Sequence, residues 1–259
     1  MTYLYKQEIF KLLKRKSTVC CLIFLLVQNI AVALISKANP NYVNTREMFV
    51  SNFASLSFTV FIMIGAAATI ISSEFEYNTI KNIIYQPYSR KTILISKWLT
   101  ILTYSLVAYA LTMLMTLINK FFFFAGDYSL TDKIQNNSRI VWQYWILNNM
   151  ANFLTLWLLL SLVFLLASVM KKNAIAITMG IIGYFALSII GTFMFMLIDK
   201  WKFLKWNPIN FMNYPAQVTA TGIIPKLTHL TNNEMLLGTL IYIVLFMSIG
   251  LYFFSKKEV

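Results

Sequence analysis

Six apolar runs, each long enough to cross a bilayer, set the terms for how this chain can fold. A helix needs about 20 apolar residues to traverse a hydrocarbon core of about 30 Å. Thr18–Ser36, Phe53–Ile71, Trp98–Ile118, Met150–Met170, Ala174–Ile198 and Met235–Phe254 all qualify. A membrane barrel would instead need short segments of alternating polarity, and the sequence has none, so every backbone group in the core must be satisfied within helices. The expected fold is an all-α integral membrane protein, a single domain of six transmembrane helices spanning 1–259. Composition agrees: of 259 residues, 59% are hydrophobic and 12% charged, and mean hydropathy is +0.67. No polar stretch is long enough to hold a separate soluble domain.

The net charge of +13 would point to nucleic acid in a soluble protein. Here the basic residues flank apolar spans, which makes them topology signals, and no nucleic-acid partner is expected. Lys6, Lys11, Lys14, Arg15, Lys16, Lys81, Arg90, Lys91, Lys97, Lys171, Lys172, Lys256 and Lys257 fall on one side, densely. Lys37, Arg46, Lys120, Lys133, Arg139, Lys200, Lys202, Lys205 and Lys226 are spread thinly over longer segments on the other. The positive-inside rule therefore predicts cytoplasmic N- and C-termini in a multi-pass plasma-membrane protein.

Residues 1–17 read as an amphipathic helix in the headgroup plane, with Ile9, Phe10, Leu12 and Leu13 interleaved among Lys6, Lys11, Lys14 and Arg15. A stop-transfer flank is the plainer reading. The lead lacks a small-residue cleavage pattern, so the first helix is expected to be retained. Cys20 and Cys21 are adjacent and have no third cysteine to pair with, and His229 is the one histidine. No metal site and no cofactor is expected in the chain itself.

Two outer segments are aromatic. Phe121–Phe124 should continue the third helix, and Trp142, Tyr144 and Trp145 should form an interfacial belt before the fourth. Asn136-Asn137-Ser138 matches a glycosylation sequon, a pattern common by chance. The loop 199–234 carries Trp201, Phe203, Trp206, Phe211 and Tyr214, rings poorly suited to open water. Short helices or a re-entrant turn at the outer interface would shelter them, with plain belt residues as the alternative.

The connector 72–97, SSEFEYNTIKNIIYQPYSRKTILISK, is the most distinctive stretch. Glu74 and Glu76 open it, and Ile80, Ile83 and Ile84 give a short helix one apolar edge. Pro87 ends that helix, and Arg90 and Lys91 can sit at phosphate level. Acidic groups before the helix favour its N-terminus and can pair with a partner's cations. A solvated linker remains the alternative.

The order Glu74-Phe-Glu76-Tyr77-Asn78-Thr79, a short apolar run, Pro87-Tyr88-Ser89-Arg90 and then Lys97 resembles the loop after the second helix of ABC-2-type ABC transporter permeases. In that family a Glu, a Gly-Thr pair, Pro-x-Ser-Arg and a Lys recur in this order. Asn78 stands here for the Gly, and both tolerate left-handed backbone. The resemblance extends to the six-helix layout, the amphipathic N-terminal helix and the aromatic outer loop. It implies that the connector is a coupling helix seated in a separate ABC ATP-binding subunit, present in two copies, with ATP and Mg bound there. Glu74, Glu76, Tyr77, Thr79, Pro87, Ser89 and Arg90 would be the coupling residues. A second permease half, identical or homologous, would complete the pathway. The permeases it looks like are those of Gram-positive bacteria that export peptide antibiotics or confer lantibiotic immunity. The chain has no G-x-x-x-x-G-K-[ST] run of its own, so ATP hydrolysis is expected on the partner rather than here.

Polar residues inside spans invite a functional guess. Gln28 and Asn29 lie midway along the first helix and either line a pathway or hydrogen-bond to a neighbouring helix. No charged residue lies deep in an expected span, which disfavours an ion-coupled carrier. Gly65, Ala66, Ala67, Ala68, Gly180, Gly183 and Gly191 should permit close helix contact, within the chain or between subunits. Two other classes compete with the exporter. An intramembrane protease would need His, Asp or Glu within the spans, and a scaffold or sensor partner would not stimulate an ATPase.

Overall fold

The computed structural model describes residues 1–76, 88–133, 139–170, 172–219 and 222–256, with side chains throughout except at Phe75. Six helices are long and apolar enough to cross a membrane, and no strand occurs among the described residues. They are α2 (Lys16–Ala38), α4 (Ser55–Glu76), α5 (Arg90–Phe123), α6 (Val141–Val169), α7 (Asn173–Lys200) and α11 (Asn232–Lys256). The second span is preceded by a short helix, α3 (Thr45–Val50). The N-terminal α1 (Thr2–Lys14) comes before α2, and α8 (Pro208–Phe211), α9 (Tyr214–Thr219) and α10 (Ile224–Thr228) lie between α7 and α11.

Local chemistry explains several of the ends. Asn39 precedes Pro40, whose ring disfavours helix at the residue before it, and α2 stops at Ala38. Ser89 caps α5, its Oγ accepting from the Thr92 amide at 3.2 Å. Thr231 and Glu234 form a reciprocal capping box on α11: the Thr231 amide donates to Glu234 Oε2 at 2.7 Å, and the Glu234 amide to Thr231 Oγ1 at 3.3 Å.

The centre of the bundle is α6, where Thr155 to Ser161 are buried without a break. Around it α2, α4, α5 and α7 contribute to one apolar cluster containing Leu25, Met63, Ile64, Ile101, Leu160 and Phe164. The approach of α7 to α4 depends on Gly180, since a Cβ there would stand 2.6 Å from Ile64 Cγ2. Gly65 and Gly183 behave differently, because a Cβ at either would meet nothing within 4 Å. The expectation that they serve close packing inside the chain is corrected. They lie on open helix faces.

The segment after α7 folds into the expected short helices, and its rings divide into two sets. Trp201, Phe203 and Trp206 point outward, whereas Phe211 is fully buried and Tyr214 nearly so. Phe211 fits only because its neighbour on α11 is Gly238, where an added Cβ would overlap the ring. Trp145 also departs from expectation. It is not a belt residue but is 2% exposed, its indole N–H donating to Asn52 Oδ1 at 2.6 Å. His229 is not isolated, since its Nε2 lies 2.7 Å from Asp199 Oδ1.

Candidate functional site

The ends of the connector are more helical than the hydropathy pattern indicates. Residues 72–76 complete α4, and 90–97 are the first two turns of α5. Glu74 and Glu76 therefore lie in the last described turn of α4. A carboxylate taken out of water needs opposite charge or hydrogen bonds to compensate.

For Glu74 the compensation is a buried ion cluster. Lys97 Nζ donates to Glu74 Oε1 at 2.6 Å and to Glu8 Oε2 at 3.0 Å. Lys11 Nζ donates to Glu8 Oε1 at 2.8 Å and lies 3.7 Å from Glu74 Oε1. The four charges sum to zero, and Lys97, Glu8 and Glu74 are 1%, 6% and 7% exposed. Burial alone would push the Glu8 carboxyl up; the ammonium groups of Lys97 and Lys11 outweigh it and hold the carboxyl below its ordinary value.

Glu8 reaches this position because α1 buries the stripe Leu4, Glu8, Leu12 against α5, spaced one helical turn apart. Tyr5 Oη and Thr103 Oγ1 are 2.6 Å apart beside it. Tyr3, Phe10 and Leu13 remain exposed on the other sides of α1. The amphipathic helix is thus docked on the bundle as well as carrying an outward apolar surface.

Glu76 is exposed, and its Oε2 accepts from the Asn173 amide at 3.1 Å, the first residue of α7. Ser72 Oγ adds a bond to Asn173 Oδ1 at 3.0 Å. Across the connector, Arg90 Nη1 donates to the Ser255 carbonyl near the end of α11 at 3.2 Å. Arg15 Nη2 reaches Ser73 Oγ at 3.4 Å. Tyr77, Thr79 and Pro87, with the apolar edge Ile80, Ile83 and Ile84, lie outside the described residues. Of the coupling set, the structure brings Glu74, Glu76, Ser89 and Arg90 to one face of the bundle. It adds Glu8, which the sequence did not single out, and joins to it Lys11, expected at headgroup level, and Lys97, the last residue of the family-like pattern. A signal for Glu8 was present, as it is the one carboxylate before Glu47 and interrupts an apolar stripe.

Gln28 and Asn29 sit far from this cluster and serve a different structure. Asn52, Phe53 and Ala54 all adopt left-handed backbone, with φ of 52°, 49° and 65°. Each costs on the order of 1–2 kcal/mol for a residue with a Cβ. The turn separates α3 from α4 and leaves carbonyls without helical partners. Gln28 Nε2 donates to the Phe53 carbonyl at 2.7 Å, and Asn29 Nδ2 to the Asn52 carbonyl at 2.9 Å. Asn148 Nδ2 donates to the Val50 carbonyl at 2.9 Å, and Asn119 Nδ2 to Asn29 Oδ1 at 2.8 Å. Gln28 and Asn29 are buried and committed to this network, which is the packing role rather than a lining role.

Residues 11–259 match the model of a family described as protein of unknown function (DUF2705). Two proteins of Bacillus subtilis (strain 168) are similar. The uncharacterized membrane protein YdbK is 26% identical over 260 residues, covering 96% of this chain and 99% of that protein. The uncharacterized protein YhcI is 25% identical over 222 residues, covering 81% of this chain and 66% of that protein.

Proposed function

The chain belongs to the DUF2705 family, and we propose that it is the membrane-spanning permease subunit of an ABC-2-type ATP-driven exporter. Its cargo would be a peptide or amphipathic antimicrobial compound, moved across the plasma membrane of a Gram-positive bacterium. ATP and Mg would bind a separate ABC subunit, two copies per complex, and a second permease half would complete the path. Two features favour this reading: the order of residues along 72–97 and the six-span layout.

The observation that carries it is how the connector's ends are tied. Glu76 holds the start of α7, Glu74 and Lys97 hold α1, and Arg90 holds the end of α11. A force applied to residues 77–89 would reach three further helices, α1, α7 and α11, through charged or hydrogen-bonded contacts. Such charge-assisted contacts are directional and about twice as strong as neutral hydrogen bonds. A solvated linker would have no use for them.

Affinity purification of the full chain from its own membranes tests the proposal. An ATPase bearing a Walker motif should co-purify, and Glu76→Arg together with Thr79→Arg should release it and abolish ATP-driven efflux. Undiminished assembly and efflux in that double variant would sink the coupling assignment. An ATPase that binds but is never stimulated would favour the scaffold reading.

A further inference from the structure

Two lysines are buried among the described residues, and they are matched differently. Lys97 donates to two carboxylates. Lys120, in the last turn of α5 and 5% exposed, forms no ion pair among the described residues. Its Nζ donates once, to the Phe124 carbonyl at 3.3 Å. It also lies 4.9 Å from the Tyr128 ring centroid and 5.7 Å from that of Phe121. An ammonium carries three donors, so one carbonyl and two rings leave it short of acceptors and of countercharge. Residues 134–138, outside the described set, contain no Asp or Glu that could supply the charge.

Lys120 lines an open pocket of about 570 Å³, whose wall continues through Phe121, Gly126, Tyr128 and Ser129. Two carboxylates share the wall, and both are spent. Asp127 pairs with Lys37 at 3.1 Å, and Asp132 with Arg46 at 3.2 Å. Three cations therefore meet two carboxylates here, and the cation left over is Lys120.

The surroundings indicate what neutralises it. Leu114, Ile118, Phe121 and Phe122 are all exposed. Their i, i+4, i+7, i+8 spacing puts them on one side of α5, as a bare apolar stripe that reaches the pocket at Phe121. On a spanning helix such a stripe faces acyl chains, and its last turn, rich in rings and carrying a lysine, lies at headgroup level. A free anion would use the cation and leave the stripe bare. A phospholipid uses both.

We propose that this pocket seats the phosphate of a phospholipid, with Lys120 as its counter-ion and an acyl chain along the Leu114–Phe122 stripe. The site rests on this geometry and does not depend on an ATPase partner.

The test uses the full chain, stripped of native lipid in an uncharged maltoside detergent, and a phosphatidylglycerol carrying a diazirine on one acyl chain. Cross-links mapped by mass spectrometry should concentrate on Leu114, Ile118 and Phe122, at concentrations where the matching diacylglycerol, which lacks phosphate, gives none. Lys120→Met should weaken the binding that this labelling reports about tenfold, equivalent to about 1.4 kcal/mol. Phe121→Ser, at an exposed position that leaves the core intact, should weaken it as well. Lys202→Met, at an exposed lysine elsewhere, should leave it unchanged, and the melting temperature checks the fold of each variant. Unchanged labelling in either folded variant, or equal labelling by the diacylglycerol, overturns the proposal. Displacement of the probe by an equal concentration of inorganic phosphate would assign the pocket to a free anion and overturn the lipid source.

Discussion

The Lys97 ammonium lies 2.6 Å from the Glu74 carboxylate, joining the last described turn of α4 to the start of α5. Lys97 is also the residue through which α1 is fastened, by way of Glu8 at 3.0 Å. One lysine therefore holds three helices. Removing one partner of a buried pair leaves uncompensated charge, typically a loss of about 3–5 kcal/mol. Lys97→Met should destabilise by about that amount in reversible unfolding from detergent micelles. The triple variant Lys97→Met, Glu8→Gln, Glu74→Gln should recover most of it. No recovery would mean that the lysine acts through packing rather than charge.

Acid should release α1 before it unfolds the bundle. The folded carboxyl of Glu8 sits below its ordinary value of 4.5, so its contribution is present above that value and lost as pH falls through the folded value. Hydrogen exchange along Thr2–Lys14, followed from about pH 7 to about pH 3 with rates corrected for intrinsic pH dependence, should show protection lost below the ordinary carboxylate range. In Glu8→Gln the same profile should be flat, with low protection throughout.

Asn29 bonds to Asn52, Ser55, Thr116 and Asn119. Asn29→Leu strands several buried groups at once, and a loss of about 1–3 kcal/mol is expected. The readout is the unfolding midpoint, with Val27→Leu on the exposed face of the same helix as the control. An equal, small effect in both would show that water replaces the amide.

Glycines separate into two groups by their surroundings. Gly238→Ala collides with the Phe211 ring, and overpacking of this kind costs about 1–3 kcal/mol. Phe211→Leu in the same chain should relieve it. Gly65→Ala and Gly183→Ala meet only open space and should be neutral or gain up to about 1 kcal/mol from helix propensity. A loss at Gly183 in the native membrane, absent in detergent, would place a second protein against that face.

Hydropathy made the six spans legible, because burial in lipid demands apolar residues over a fixed length. It gave no sign that α5 starts about two turns before the third apolar run, since Arg90, Lys91, Ser96 and Lys97 look like loop. Those turns are helical because Ser89 caps them and because Ile93 and Leu94 bury one side. Glu8 and Lys97 lie 89 positions apart, and each alone resembles an ordinary interfacial charge, so only the fold joins them. The Asn52–Ala54 turn contains neither Gly nor Pro, the usual marks of left-handed backbone, and it is held by side chains from α2 and α6. The Glu74–Arg90 pattern was visible as a motif, whereas its internal partners were not.

The length of α5 has a mechanical consequence. Its 34 residues make a rod of about 50 Å, well beyond a hydrocarbon core of about 30 Å. Tilting such a rod by about 10° around its midpoint would swing Arg90 sideways by about 4 Å. Because Arg90 grips α11 and Lys97 grips α1, that arc would drag both neighbours along with it. Tilted in this way, the third span would act as a lever, with its displacement growing from the midpoint to the end that carries the connector.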